Sequence, residues 1–414
     1  MKQIAIIGLG MGNQETLTLE GKKMIEKADI LIGSKRMVEA VNASNRPAYM
    51  TFDSTSIKNY IDSSDYLTFA VLMSGDTGFY SGASQLIPLL GEYEVKVVPG
   101  ISTVSYFSAK LHISWEDAYL LSLHGRKENI IQAVRQHKKT FALTDGKISD
   151  LCRKLTLAGL GSVLVYVGEN LSYEKEKITK GAAEELMNQE FVPLSSVFIL
   201  NTEYSTEFRA GIPDDEFIRG KIPMTKSEVR AISLSKLGIK KDSIIYDIGA
   251  GTGSVSIEMA LLAKKGRVYA IEQKQEAIEL IDKNIIEFGL ENIEIIHGTA
   301  PEALENLEKP DLAFIGGSGG NLEAIITSLL NKNKTLRLVI TAIAIETLTE
   351  GLRLMKELEF EEVELVQAAI SKTKEVGSYH MLMGQNPVFI ISGRGGHYEK
   401  DKSDYDCRYE KRFR

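Results

Sequence analysis

A hydrophobic run, Ile244-Ile245-Tyr246-Asp247-Ile248, enters a glycine loop, Gly249-Ala250-Gly251-Thr252-Gly253, and a helical pattern starts at Ser254-Val255-Ser256-Ile257. Strand, glycine turn and helix in that order restrict the fold more than any other stretch of the chain. Glycines at alternate positions let the backbone turn tightly and come close to a ligand, and free amides at the helix start can meet a carboxylate or phosphate. The next strand pattern, Arg267-Val268-Tyr269-Ala270-Ile271-Glu272, ends on an acid. That acid lies roughly 20 residues past the loop, where a carboxylate can grip two ribose hydroxyls. The pair reads as adenosine recognition. A dinucleotide site would want a further glycine three residues after Gly251, where the helix packs over a pyrophosphate. Ser254 stands there instead.

The chain of 414 residues is too long for one core, so two domains of about 200 residues are expected. Residues 201–211 are polar and lack apolar periodicity, which places the boundary there. The expected division is residues 1–205, residues 206–396, and a charged, disordered tail at 397–414. With 43% hydrophobic and 25% charged residues the composition is that of a soluble globular protein. A formal charge of -7 gives no general attraction to nucleic acid or to an anionic membrane. Two cysteines, Cys152 and Cys407, supply neither a disulfide framework nor a metal cluster, which fits a reducing cytoplasm. No run approaches the length of a membrane span, and Met1-Lys2-Gln3 leads into Ile4 without a signal-peptide shape. A cytoplasmic protein with no metal and no membrane partner is expected.

The first half opens on a second strand and glycine loop, Ile4-Ala5-Ile6-Ile7 and then Gly8-Leu9-Gly10-Met11-Gly12. The strand pattern that follows, residues 28–33, ends in Ser34-Lys35-Arg36, so the ribose-gripping acid is missing. A third strand, Phe69-Ala70-Val71-Leu72-Met73, closes on Ser74-Gly75-Asp76-Thr77-Gly78, and a fourth, Val95-Lys96-Val97-Val98, on Pro99-Gly100-Ile101-Ser102-Thr103. In a parallel sheet such carboxyl ends line one edge, where ligands collect. Local readings exist beside the binding ones: Asp76 fits an Asx turn ahead of Gly78, and Ser102 with Thr103 fits a helix cap. Strands at 140–144, 162–167 and 196–200, with helices at 127–136 and 148–159, make a second lobe that carries no catalytic constellation.

In the second half Pro223-Met224-Thr225 precedes a helix, and Thr225 with Glu228 has the spacing of a capping box. Beyond Glu272 the alternation continues: a helix at 275–288, a strand at 293–297 and Gly298-Thr299-Ala300-Pro301. A strand at 311–315 then leads into Gly316-Gly317-Ser318-Gly319-Gly320. A strand at 336–341, a helix at 345–358 and an antiparallel pair at 361–369 and 388–392 complete a doubly wound sheet. The glycines after Ile315 offer amides to an anion, which suits a substrate carboxylate better than a stacked base.

These motifs resemble two known families in tandem. Gly8-Leu9-Gly10-Met11-Gly12, Ser74-Gly75-Asp76 and Val98-Pro99-Gly100-Ile101-Ser102 resemble the tetrapyrrole methylases, and Ser122-Leu123-His124-Gly125-Arg126 resembles the branch acting on carbon 5 of the corrin precursor. The resemblance implies two α/β lobes holding S-adenosylmethionine through backbone groups near Gly8, Gly10, Gly12, Gly75, Asp76, Ser102 and Thr103, with His124 and Arg126 toward the substrate. The second half resembles the class I, Rossmann-like S-adenosylmethionine-dependent methyltransferases, in the branch that methylates carbon 15 and decarboxylates the carbon 12 acetate. That resemblance implies that Thr225 and Gly249, Ala250, Gly251, Thr252 and Gly253 hold the methionine part, Glu272 the ribose and Ala300 the adenine edge. Gly317, Ser318 and Gly319 are expected to face the substrate, and Asp247 to shape the glycine loop.

Together the halves resemble the bifunctional decarboxylating C(5,15)-methyltransferase family of cobalamin biosynthesis. One S-adenosylmethionine per domain, a tetrapyrrole substrate, no nucleic acid and a homo-oligomer are the implied cofactor and partners. No general acid or base is assigned, since His380 and Glu346 have stronger structural readings, and His297 reads as a strand-end residue. Three other classes share parts of the pattern. An RNA methyltransferase would show a basic face with aromatics, and a paired nicotinamide enzyme would have the missing glycine and acid. A cofactor-sensing protein would keep both glycine loops and turn nothing over.

Overall fold

The computed structural model describes residues 2–41, 46–124, 129–205 and 210–396. Two compact units part between residues 206 and 207, with residues 127–132 belonging to the second. Among the described residues no helix is long and apolar enough to cross a membrane.

In the first unit β1 (Gln3–Gly8), β2 (Ile30–Gly33), β3 (Ala48–Met50), β4 (Thr68–Met73) and β5 (Glu94–Val98) form a parallel sheet in the order β3-β2-β4-β1-β5. Helices cover both faces, so Ile4, Ile6, Phe69 and Val71 pack on one side while Ile7, Ala70, Leu72 and Val98 pack on the other. Burial on both faces is why these strands read as unbroken apolar runs. A second sheet holds β6 (Tyr119–Ser122), β7 (Lys139–Leu143), β8 (Leu164–Glu169), β9 (Lys177–Ala182) and β10 (Ser195–Leu200), ordered β6-β7-β10-β8-β9. Only β6 and β7 run parallel in it. The expected two α/β lobes are therefore present. The helix expected at 148–159 ends sooner, at Leu155, because a wider turn over Thr156–Leu160 takes Gly159 to φ 75°. The start of the helix expected at 127 lies outside the described residues, which resume a helix at Ile130–Gln136.

The second unit is a seven-stranded sheet made of β11 (Ile244–Ile248), β12 (Arg267–Glu272), β13 (Ile293–His297), β14 (Leu312–Ile315), β15 (Arg337–Ala342), β16 (Glu361–Ala368) and β19 (Val388–Arg394). Its order is β13-β12-β11-β14-β15-β19-β16, with β19 antiparallel to both neighbours and the first five strands parallel. Between β16 and β19 the chain forms a separate hairpin, β17 (Ser371–Val376) and β18 (Tyr379–Gly384), every residue of which is exposed. Helices on both sheet faces bury two apolar layers, one around Tyr246, Ile315 and Leu338, the other around Ile245, Phe314 and Val339. This places the carboxyl ends of β11, β12, β14 and β15 along one edge.

Candidate functional site: a cavity at the carboxyl edge of the second sheet

The loops after β11, β12, β13, β14 and β15 surround a cavity of about 970 Å³. Thr225, Gly249, Ala250, Gly251, Thr252, Glu272, Ala300, Gly317, Ser318 and Gly319 all line it, so ten positions singled out in the sequence meet in one place. Gly253 stands one turn back as the N-cap of the helix Ser254–Leu262.

The glycine loop is held open by backbone geometry. Gly249, Gly251 and Gly253 have φ of 74°, 59° and 77°, the left-handed region that a side chain strains. A Cβ on Gly249 would also sit 2.7 Å from the carbonyl oxygen of Gly317, so the loops after β11 and β14 approach closely because Gly249 carries no side chain.

Glu272 is buried, and its carboxylate is fixed by three backbone amides. Gly251 donates to Oε2 at 2.9 Å, and Gln273 and Lys274 both donate to Oε1 at 2.9 Å. A carboxylate accepts about four hydrogen bonds, so Oε1 is filled and Oε2 keeps about one free lone pair. Acceptor capacity for a ligand thus remains on Oε2 beside the three structural amides. The Gly251 amide is occupied by this carboxylate.

Behind the loop lies Asp247, 1% exposed. Its Oδ2 accepts from the Ser256 hydroxyl, while Oδ1 has no partner. Burial pushes its carboxyl up to about 7, and the nearby Glu272 charge pushes the same way. Through Ser256 it ties the end of β11 to the helix that follows the glycine loop.

Thr225 is not part of a capping box. The helix begins at Ser227, its N-cap Lys226 makes no side-chain cap bond, and Asp214 Oδ1 accepts from the Ser227 amide at 3.0 Å in its place. Glu228 instead pairs with Lys372 at 2.7 Å. The residue that positions Thr225 is Arg230, 0% exposed. Its guanidinium donates to Glu258 Oε1 at 2.6 Å, to Asp214 Oδ1 at 2.9 Å, and to the carbonyls of Thr225 and Ile212. It lies 4.8 Å from the Phe217 ring centre. Burial drives the Glu258 carboxyl up, and Arg230 opposes the shift. The signal for this hub was in the sequence: Glu258 interrupts the otherwise uncharged helix Ser254–Leu262, and a buried charge needs a partner.

Further lining comes from Thr341 in β15, from Ile343 and Ala344 in the loop after it, from Thr347 in the helix Ile345–Glu357, and from Gln385 and Asn386 after the hairpin. Ile343 and Ile345 are 66% and 68% exposed on that rim. His380 lies out on β18, 3.4 Å from Glu375, and neither it nor Glu346 or His297 lines the cavity. His297 bonds the Gln273 carbonyl at 3.2 Å, as a strand-end residue does. Among the described residues no group of three or more His, Cys, Asp or Glu side chains is placed to hold a metal.

In the first unit the expected loops converge as well. Gly10 and Gly75 exchange backbone hydrogen bonds at 3.1 and 2.8 Å. A Cβ on Gly100 would lie 2.3 Å from the Gly75 carbonyl oxygen, and one on Gly8 2.7 Å from the Gly100 amide. Asp76 makes the Asx turn, accepting from Gly78 at 2.8 Å, and its other oxygen accepts from Gly100 at 3.1 Å. Ser102 caps the helix Thr103–Leu111, accepting from Ser105 at 3.2 Å. The local readings of Asp76 and Ser102 are thus realised, and they bring Gly8, Gly10, Gly75 and Thr103 to the same sheet edge. His124 is exposed at the end of the strand β6, and Arg126 lies outside the described residues.

Comparison with known proteins divides the chain in the same way. Residues 216–393 match the family model described as precorrin methyltransferase domain, and residues 3–187 match tetrapyrrole (corrin/porphyrin) methylases. A probable cobalt-precorrin-6B C(15)-methyltransferase (decarboxylating) of Sulfolobus acidocaldarius is 42% identical over 187 residues, 44% of this chain and 96% of its own length. A precorrin-6Y C(5,15)-methyltransferase [decarboxylating] of Sinorhizobium sp is 28% identical over 352 residues, 82% of this chain and 84% of its own. Among solved structures, a precorrin-6Y C5,15-methyltransferase of Geobacter metallireducens is 39% identical, with 44% of this chain and 96% of that one covered at a TM-score of 0.43.

Proposed function

The chain belongs to the precorrin methyltransferase family, and from that premise we propose that it methylates a precorrin-6-type corrin precursor, metal-free or cobalt-bearing, at carbons 5 and 15. The carbon 12 acetate loses carbon dioxide in the same sequence of reactions. The first methylation is assigned to a domain of residues 1–205 and the second, with the decarboxylation, to residues 206–396. The observation that carries this reading is the tandem match, because the bifunctional relative is matched over 82% of this chain and 84% of itself.

S-Adenosylmethionine is the donor, one molecule in each domain. When bound, it supplies a methyl group already activated on a sulfonium. The second unit's residues fit it: Thr252 lines the cavity, and its hydroxyl, buried without a hydrogen-bond partner, is assigned to the donor's amino-acid end. Thr225, held by Arg230, and the Gly249–Gly253 backbone hold that same end, Oε2 of Glu272 takes a ribose hydroxyl, and Ala300 flanks the adenine. In the first domain Gly8, Gly10, Gly12, Gly75, Asp76, Ser102 and Thr103 build the donor cradle, and His124 and Arg126 face the substrate.

Gly317, Ser318 and Gly319 line the same cavity, where a nest of amides receives a substrate carboxylate. Orientation is the main task of these residues. A meso carbon of the macrocycle is electron-rich, and the carbon–carbon bond that breaks on loss of carbon dioxide leaves its electrons in the conjugated ring. Holding reactants in line supplies about 7 to 11 kcal/mol of a barrier without any strong acid or base. The exposed hairpin, with Tyr379, Leu382 and Met383 outward, supports a homo-oligomer, and the location proposed is cytoplasmic.

Anaerobic incubation with isotope-labelled donor and the corrin precursor, followed by mass analysis, tests the proposal. The expected product has gained two labelled methyl groups and lost one carboxyl. A precursor returned unchanged overturns the reading.

A further inference from the structure

In the first unit the strand β2 ends where an adenosine site would carry an acid, and the chain places Ser34-Lys35-Arg36 there instead. Arg36 is exposed, yet its guanidinium is oriented. One Nη donates to the Tyr173 hydroxyl at 2.7 Å and the other to the Ser74 hydroxyl at 3.3 Å. Both partners are neutral, and among the described residues no carboxylate pairs with it.

Tyr173 is itself held against the first glycine loop. Ser172 donates through its hydroxyl to the Met11 carbonyl at 3.3 Å, and Asn13 donates back to the Ser172 carbonyl at 2.9 Å. Glu176 pins the same turn, accepting from the Ser172 amide at 2.6 Å and pairing with Lys110 at 2.9 Å. A Cβ on Gly12 would lie 2.2 Å from the Tyr173 hydroxyl, so the absence of a side chain at Gly12 is what admits the tyrosine.

We infer that Arg36, braced by Tyr173 and Ser74, binds a carboxylate of a ligand at the carboxyl edge of the first sheet. A guanidinium has five donors in a planar fork, and two neutral acceptors leave about three of them and the whole charge available. The fork matches a carboxylate in two parallel bonds, which a lysine cannot reproduce. β2 and β4 are neighbours in the parallel sheet, so Arg36 and Ser74 stand at the edge where such sheets take ligands. The inference rests on the proposed function for its ligands. The carboxylate belongs either to a side chain of the macrocycle or to the amino-acid end of the donor.

The test uses the full chain, with Arg36→Gln and Arg36→Lys as variants. S-Adenosylhomocysteine and methylthioadenosine, which lacks the carboxylate, are titrated by calorimetry, and uroporphyrin, a polycarboxylate macrocycle, by fluorescence. Arg36→Gln is expected to weaken one carboxylate-bearing ligand by about 10- to 100-fold, the loss of one charge-assisted pair, with Arg36→Lys between it and the parent. S-Adenosylhomocysteine binding in the second unit stays unchanged, and thermal melts that match the parent's report that the first unit of each variant folds. A shift confined to uroporphyrin assigns the anchor to the macrocycle; a shift in S-adenosylhomocysteine without one in methylthioadenosine assigns it to the donor. Unchanged affinity for both carboxylate ligands in Arg36→Gln overturns the anchor, even if both methylations proceed. An anchor that binds in a chain that methylates nothing instead overturns the proposed function.

Discussion

Three amides on one carboxylate make Glu272 a structural clamp, and the proposed function adds a ribose to it. Glu272→Gln keeps the shape but puts a donor toward those amides, so it should weaken donor binding in the second unit by about 10- to 100-fold, read by calorimetry. Asp247 gives a pH signature. Its folded carboxyl titrates near 7 and its unfolded one near 3.8, so between those values the folded state holds the extra proton and stability falls as pH rises. Asp247→Asn should flatten the denaturation free energy by about 2 to 3 kcal/mol between roughly pH 5 and pH 8. Equal slopes in parent and variant would contradict the buried, half-partnered carboxyl. Arg230→Met leaves Glu258 buried without its cation and should cost about 3 to 5 kcal/mol in urea melts. The sequence pointed to Glu272 because a strand-end acid has few alternative uses. The lone Glu258 signalled a buried charge, but not that its partner is Arg230, 28 residues away and shared with Asp214.

At the scale of elements, close approach of backbones explains the loops better than ligand contact does. Gly249→Ala combines a φ of 74° with a Cβ 2.7 Å from Gly317 and should destabilise the second unit by about 2 to 4 kcal/mol. Gly319→Ala, at φ 58° with open space around its Cβ, should cost only about 1 to 2 kcal/mol. Equal losses in thermal melts would remove the packing account. Central strands were legible because both faces are buried, as in β1, β4 and β11. Three strands without a clear expectation, β3, β6 and β9, are all sheet edges, where half-exposed residues leave no apolar period. The hairpin β17–β18 left none because nothing in it is buried, although Tyr379 and Leu382 are 75% and 72% exposed. Such a surface is costly to leave in water. Leu382→Lys with Tyr379→Ser is expected to lower the assembly state in sedimentation without moving the melting temperature. An unchanged sedimentation coefficient would free the hairpin of that role.

For the whole molecule, the proposed two methylations of one macrocycle would explain why two unlike folds share a chain. A tether raises the effective concentration of the second site for an intermediate released by the first. That account requires two donor sites of different construction, one made by convergent glycine backbones and one by a glycine loop with a strand-end acid. Calorimetric titration of the intact chain with S-adenosylhomocysteine counts them. The account predicts two molecules bound per chain, falling to one in Glu272→Ala. One molecule bound by the unsubstituted chain, or a full two retained by Glu272→Ala, would contradict it.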